Sequence, residues 1–302
     1  MALAAGLVCL LTAAGFGQDT PQGEPWLAAR IAKIMERPAF RHASFGIDFY
    51  SLDTGQPIYS VNAQKLFTPA STTKLLTEGT ALALLGADYR FHTLVYRTGT
   101  LNSKGDLKGD LVLVASGDPN LSGRLQRDGK LAFENEDHSY AGSPDTKAVP
   151  GDPLQAIRDL AAQVAAKGVK HVEGRVIVDA SLFPEGDREL GTGAVISPIC
   201  VNDNIVDVTL TPAATPGAAP ALVVSPETSY VKFINQATTG DAGKQPTVDW
   251  GADNAAPDGT HTVTITGTMP AGGPSILYAY HPAQPSRFAE ILLTEALREK
   301  GI

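Results

Sequence analysis

The chain opens on an apolar run. Residues 2–16, ALAAGLVCLLTAAGF, are apolar, small or weakly polar, and polarity begins at Gln18. The run falls short of the ~20 residues that a membrane-spanning helix needs. Its small-residue end, followed by Gln-Asp-Thr-Pro-Gln-Gly-Glu-Pro, fits an export signal over residues 1–17 with an exposed mature N-terminus behind it. No Lys or Arg precedes Arg30, so the charged start of such a signal is missing. Val8 before Cys9, in place of a small residue, argues against a lipid anchor. Farther on, Trp26, Leu27, Ile31, Ile34 and Met35 share one helical face and predict an amphipathic helix over 25–35. Residues 45–50 alternate as a strand does. Asp53-Thr54-Gly55 supplies the turn, and residues 57–61 read as the return strand. A helical run then extends from Ser71 to Leu85 and stops at Gly86, where a helix C-cap belongs.

After Gly86 the pattern changes. Residues 91–96 and 107–115 predict strands, with turn residues 102–105 between them. Residues 153–167 predict a helix through Leu154, Ile157, Leu160, Ala161 and Val164, closed by Gly168. Residues 172–179 predict a strand. From about Val201 to Tyr280 the chain reads as many short β segments broken by Gly, Pro and Thr, with a Pro/Ala/Gly-rich loop at 213–220. Residues 286–300 predict a helix with Phe288, Ile291, Leu292 and Leu297 turned inward. No repeat of fixed period is present.

Composition narrows the function classes. The 302 residues are 43% hydrophobic, enough for a sizeable core in one large domain or several smaller ones. Lys+Arg 24 against Asp+Glu 32 leaves a net charge of −8 with no basic run, which excludes a nucleic-acid binder. Two cysteines, Cys9 and Cys200, exclude a disulfide framework. The six histidines are scattered, no pair has the i, i+4 spacing of a helical metal site, and no CxxC occurs. No metal or other cofactor is expected.

The sharpest chemical signal is Pro69-Ala70-Ser71-Thr72-Thr73-Lys74. Residues i and i+3 at a helix start lie one turn apart on the same face, so the Ser71 hydroxyl and the Lys74 amine can meet. A serine hydroxyl needs a neighbouring base to become a nucleophile. A lysine can be that base where burial or cationic neighbours disfavour its charged form. The helix's positive end would face a developing oxyanion or a substrate carboxylate. The competing reading makes Ser71 an N-cap and Lys74 a surface lysine. Ser-x-x-Lys alone does not separate the two.

The surrounding residues do. Asn62-Ala-Gln-Lys-Leu-Phe-Thr-Pro-Ala-Ser-Thr-Thr-Lys-Leu-Leu-Thr77, with Ala81-Leu-Ala-Leu-Leu-Gly86 and Tyr89-Arg-Phe91, resembles the class C low-molecular-mass penicillin-binding proteins. These are the D-alanyl-D-alanine carboxypeptidase/endopeptidases of the peptidase S13 type. Leu107-Lys-Gly-Asp-Leu111, Gly117-Asp-Pro119, residues 172–179 with Ser181 and Phe183, and Val201-Asn-Asp-Asn204 continue the resemblance in order. It implies an α+β multidomain fold: part of a transpeptidase/β-lactamase-like domain interrupted by a long β-rich insertion. The expected divisions are 18–86 for the first part of that domain, 87–280 for the insertion and 281–302 for a helix returning to the first domain. The resemblance also implies Ser71 as the acylated serine and Lys74 as its proton-transfer partner. It implies peptidoglycan stem peptides as substrates, β-lactams as inhibitors, and a periplasmic or cell-envelope location. It carries nothing on oligomeric state. A non-catalytic cell-wall-binding or penicillin-sensing module, and a serine β-lactamase or esterase, stand as the other readings.

The sequence also departs from the family pattern. Lys-Thr-Gly and His-Thr-Gly do not occur. Ser60-Val-Asn62 matches Ser-x-Asn literally but precedes Ser71 and is read as chance. The expectation is a chain that stops before both motifs. The Trp-rich, Asp-containing segment that the family often carries after its Val-Ile-Val-Asp strand is here residues 184–193, without tryptophan. Asp187 could stand in there, and a solvated loop carboxylate is the plainer reading. Gly105–Gly109, Asp118 and Asp203 are read as turn chemistry, and Glu78 as an i, i+4 helix partner of Lys74.

Overall fold

The computed structural model describes residues 22–302. The export signal expected over 1–17, with Cys9 inside it, lies outside the described residues. The described residues form two compact units, divided between Tyr89 and Arg90. Helices and sheets are mixed throughout, as an α+β chain requires.

The first unit contains β1 (Gln22–Gly23), α1 (Pro25–Met35), β2 (Ile47–Ser51) and β3 (Gln56–Val61), followed by α2 (Thr73–Leu85). The strands pair antiparallel in the order β1-β3-β2. Tyr59, Val61 and Asn62 of this hairpin region are buried. Helix α2 buries none of its residues. Leu75 and Leu76 are each 74% exposed, and Leu82, Leu84 and Leu85 are exposed too.

The second unit begins with β4 (Leu94–Arg97), β5 (Thr100–Leu101), β6 (Asp106–Lys108) and β7 (Leu111–Val114). Helix α3 (Gln155–Ala166) then leads to β8 (His171–Val172) and β9 (Val176–Asp179). The helix is the crossover that parallel strands need: β6 pairs parallel with β8, and β7 with β9. The first strand starts at Leu94, not at Phe91.

The predicted strands over 107–115 and 172–179 are each two strands. The breaks fall at Gly109-Asp110 and at 173–175, directly opposite one another. A Cβ on Gly109 would lie 2.2 Å from the Thr98 carbonyl oxygen. One on Gly174 would lie 2.4 Å from the Gly109 carbonyl oxygen. Asp110 Oδ1 accepts from the Arg175 backbone N–H at 2.8 Å and ties the two kinks together. Glycine inside a strand marks such a close backbone approach.

The remainder holds β10 (Val206–Thr211), β11 (Ala221–Ser225), β12 (Val231–Asn235), β13 (Thr238–Gly240), β14 (Asp249–Ala255), β15 (His261–Thr266), β16 (Thr268–Pro270) and β17 (Ile276–Tyr280), then α4 (Pro285–Glu299). The sheets run β11-β10-β17, β12-β15-β14 and β13-β16. Helix α4 packs on α3 and β9. Phe288, Leu292, Leu293 and Ala296 of α4 are buried, as are Ile157 and Ala161 of α3 and Val208, Val263 and Ile265 of the sheets. Each such large side chain contributes about 1.5–3 kcal/mol relative to exposure.

Candidate active site

The segment that enters Ser71 is fixed from below by the hairpin. Asn62, in a left-handed conformation with φ 52, donates from Nδ2 to the Phe45 carbonyl at 2.8 Å. The aromatic ring of Phe67 lies over Gly46 so closely that a Cβ there would sit 2.2 Å from it. Residues 62 and 67 thus both hold the segment that leads into β2. Ala70 has φ 45, a left-handed conformation that costs a residue with a Cβ energy. Ser71 follows in a short 3-10 turn, Ala70–Thr72, that runs directly into α2.

Lys74 Nζ donates to Ser71 Oγ at 3.0 Å. The i, i+3 spacing therefore does what its geometry predicts. Neither terminus of the turn has a side-chain cap, so Ser71 is not serving as an N-cap. The Thr72 hydroxyl turns back to the Pro69 carbonyl instead. The pair expected between Lys74 and Glu78 is not among the ion pairs of the described residues, because the amine has turned toward the serine. Both Ser71 and Lys74 are exposed.

The remaining candidates have structural work. Asn62 of the literal Ser-x-Asn match spends its amide on Phe45, as above. Asp118 Oδ1 accepts from the Asn120 backbone N–H, and Asn102 Oδ1 accepts from Lys104 and Asp106, so both segments are turns. Asp187 is exposed on a loop. Asp203 does more than hold a turn. Residues 202–204 take φ of 49, 56 and 54, three consecutive left-handed residues. Asn and Asp tolerate that region best among residues other than glycine. The turn aims Asp203 Oδ2 at Arg124 Nη2 (2.6 Å), Arg124 Nε (2.8 Å) and His138 Nε2 (2.8 Å). His138 Nδ1 meets Asp207 Oδ1 at 2.8 Å, and Arg124 Nη2 meets Asp137 Oδ2 at 2.7 Å.

His138 is completely buried. Burial alone would lower its pKa, but the hydrogen bonds and charges of Asp203 and Asp207 overcome this and push it up to about 9. Burial also works against ionisation of Asp203, and the hydrogen bonds from His138 and Arg124 hold its pKa below the usual carboxylate value. This buried charge network has no counterpart in the sequence reading. Its bonded partners lie 13 to 79 residues apart, and the run of polar residues at 202–204 is its one visible mark. Among the described residues, no group of three or more His, Cys, Asp or Glu side chains could hold a metal ion. No described helix is long and apolar enough to cross a membrane.

Comparison with known proteins places nearly all of the described chain. The family described as "D-Ala-D-Ala carboxypeptidase 3 (S13) family" matches residues 27–302. A D-alanyl-D-alanine carboxypeptidase from Actinomadura sp. (strain R39) is 30% identical over 290 residues, covering 90% of this chain and 46% of that protein. The D-alanyl-D-alanine carboxypeptidase DacB of Haemophilus influenzae is 25% identical over 142 residues, 47% of this chain and 23% of that protein. The crystal structure of penicillin binding protein 4 from H. influenzae superposes with a TM-score of 0.60 at 18% identity, covering 85% of this chain and 51% of that one. A structure of the same protein complexed with a β-lactam gives 0.57, again at 18% identity, covering 85% and 48%. The chain spans about half or less of the length of the relatives it matches.

Proposed function

The chain belongs to the D-Ala-D-Ala carboxypeptidase 3 (S13) family, and from that premise we propose that it acts as a serine-type D-Ala-D-Ala carboxypeptidase/endopeptidase on peptidoglycan stem peptides. The observation that carries the proposal is the 3.0 Å contact between Ser71 Oγ and Lys74 Nζ at the head of α2. The proposed step runs as follows. Ser71 Oγ attacks the carbonyl carbon between the two D-alanines, and its proton passes to Lys74 Nζ. The same amine returns a proton to the departing D-alanine nitrogen as the C–N bond breaks. Water then hydrolyses the ester on Ser71. The positive end of α2 favours the negative charge that gathers near Ser71 in each half-reaction.

In this reading residues 18–86 are the first part of a transpeptidase-like domain and 87–280 are inserted β-rich elements; α4, expected within 281–302 to lead back toward the first part, packs on α3 and β9 of the second unit. The substrate lies outside the cytoplasm, which accords with the export signal expected over 1–17. The family's Lys-Thr-Gly does not occur in the 302 residues, so the proposal assigns this chain the nucleophile and its proton-transfer partner, and no group that binds the substrate carboxylate.

A β-lactam offers the same carbonyl in a strained ring, and ring opening expels no fragment. The test is intact mass after incubation with a fluorescent penicillin. The expected result is one adduct carrying the full mass of the β-lactam, absent in Ser71→Ala, and formed about 10²–10⁴-fold more slowly in Lys74→Ala. A folded protein that gains no adduct, or an adduct that persists in Ser71→Ala, overturns the proposal. The first outcome would favour a non-catalytic wall-binding or sensing module.

A further inference from the structure

The second unit carries a cleft that neither the dyad nor the hydrophobic core uses. Two hollows of about 450 and 380 Å³ share a rim formed by Ser139, Tyr140 and Thr192. Phe133 and Arg124 wall the first; Trp250, Tyr278 and His281 wall the second. Phe133 is 73% exposed and Tyr140 65%. Aromatic rings left open to water beside a concave surface mark a recognition site more often than chance apolar exposure does.

These rings are held in place. The Arg124 guanidinium lies 5.7 Å above the Phe133 ring and is itself fixed by Asp137 and Asp203. Asp137 also caps the 3-10 turn His138–Tyr140, accepting from the Ser139 backbone N–H at 3.0 Å. Tyr140 closes that turn. The buried charge network thus presents an aromatic platform already ordered before any ligand arrives, which lowers the entropy lost on binding. In the second hollow, His281 Nδ1 is buried with no hydrogen-bond partner. Burial, then the charges of Arg188 and His138, lowers the His281 pKa.

The chemistry selects the ligand. Arg124 is the one arginine or lysine lining the two hollows among the described residues, and two carboxylates already neutralise it. A stem peptide, which carries carboxylates, finds no uncommitted positive charge here. A pyranose ring fits: its C–H faces stack on aromatic rings, while hydroxyl and acetamido groups use the hydrogen-bonding groups between them. We propose that this cleft binds an uncharged N-acetylated amino-sugar strand, the glycan to which the stem peptides are joined. The identity of that glycan rests on the enzymatic reading above; the neutral, stacking character of the ligand rests on the cleft alone.

The test is calorimetric titration of the full chain with tetra-N-acetylchitotetraose, with an anionic pentapeptide ending in D-Ala-D-Ala run in parallel. Saturable binding of the saccharide is expected. Phe133→Ala and Tyr140→Ala should each weaken it about five- to tenfold, and Tyr140→Phe should retain it. Both aromatic positions are exposed, so the variants are expected to fold. No saturable saccharide binding, binding unchanged in both alanine variants, or variants that lose the peptide and keep the saccharide would each overturn the proposal. A Ser71 β-lactam adduct without saccharide binding sinks the cleft and leaves the enzyme. Saccharide binding without an adduct keeps a sugar cleft and sinks the acyl-enzyme.

Discussion

Replacing His138 by glutamine tests whether the buried network stabilises the second unit through a charged imidazole. The native ring is held protonated by Asp203 and Asp207 with a pKa of about 9, against 6.5 for an unconstrained histidine. Between those values the folded state binds one proton more than the unfolded state. The unfolding free energy must therefore fall as pH rises, by about 1.4 kcal/mol per pH unit. The stabilisation is complete below pH 6.5 and lost as pH passes 9, a total of about 3 kcal/mol over the interval. His138→Gln lacks that proton, so its curve loses this slope. At pH 6 the variant should be less stable by about 3–5 kcal/mol, the usual cost of removing one partner from a buried charge pair, and the gap should narrow toward pH 9.

Trp26 and Trp250 are the two tryptophans, one in each unit. In a Trp26→Phe background, Trp250 fluorescence reports the second unit during urea unfolding at pH 6 to 9. The native Cys200 thiol titrates above this window, and in the unfolded chain at about 8.5, a contribution that the comparison of the two proteins is expected to cancel. Parallel stability curves for the two proteins between pH 6.5 and 9 would refute a charged His138.

Two further outcomes follow from local geometry. Gly174→Ala places a Cβ against the Gly109 carbonyl and Asp110 Oδ1, each 2.4 Å away, and should destabilise the second unit by about 1–3 kcal/mol in urea unfolding; a variant as stable as the wild type would show that the paired kinks can relax. Burial, then the charges of Asp203 and Asp118, push the Cys200 thiol up to about 12. Its peptide should stay unmodified by iodoacetamide at pH 8 in the native protein and react fully in urea, with prompt native labelling as the contrary result.

What the sequence discloses tracks separation along the chain. The Ser71–Lys74 contact was legible because i, i+3 spacing needs one helical turn and nothing else. The hairpin at 47–61 was legible because alternation and turn residues are local signals. The kinks at Gly109 and Gly174 were not read from runs of apolar residues, although each glycine in a strand was their mark. The strand over 91–96 was placed early, because Phe91 and His92 continue the apolar run without joining the ladder. Arg124, His138 and Asp203 could not be assembled from sequence at all. His138 is 65 residues from Asp203 and 69 from Asp207, and a lone buried histidine carries no periodicity. The three polar residues at 202–204 signalled a turn, and the turn's purpose emerges only from what its middle carboxylate reaches.

The same contrast bears on catalysis. The dyad is local, so its geometry forms wherever the first turn of α2 forms. The reactivity proposed for it is not local. A helix of 13 residues is marginal in water by itself, and α2 contains Gly79 and leaves Leu75, Leu76, Leu82, Leu84 and Leu85 exposed. At 100° per residue these leucines fall on every side of the helix, the pattern of a helix that is covered all round, and covering it would do two things. It would hold Ser71 at a fixed point on a rigid helix, and it would exclude water from the Ser71–Lys74 contact. Covering these leucines should therefore change the rate of the acylation proposed at Ser71 while leaving the 3.0 Å contact intact. Replacing Leu76 by serine separates the two: a slower β-lactam adduct with unchanged helix content places the effect in the environment of the dyad, and an unchanged rate removes Leu76 from the mechanism.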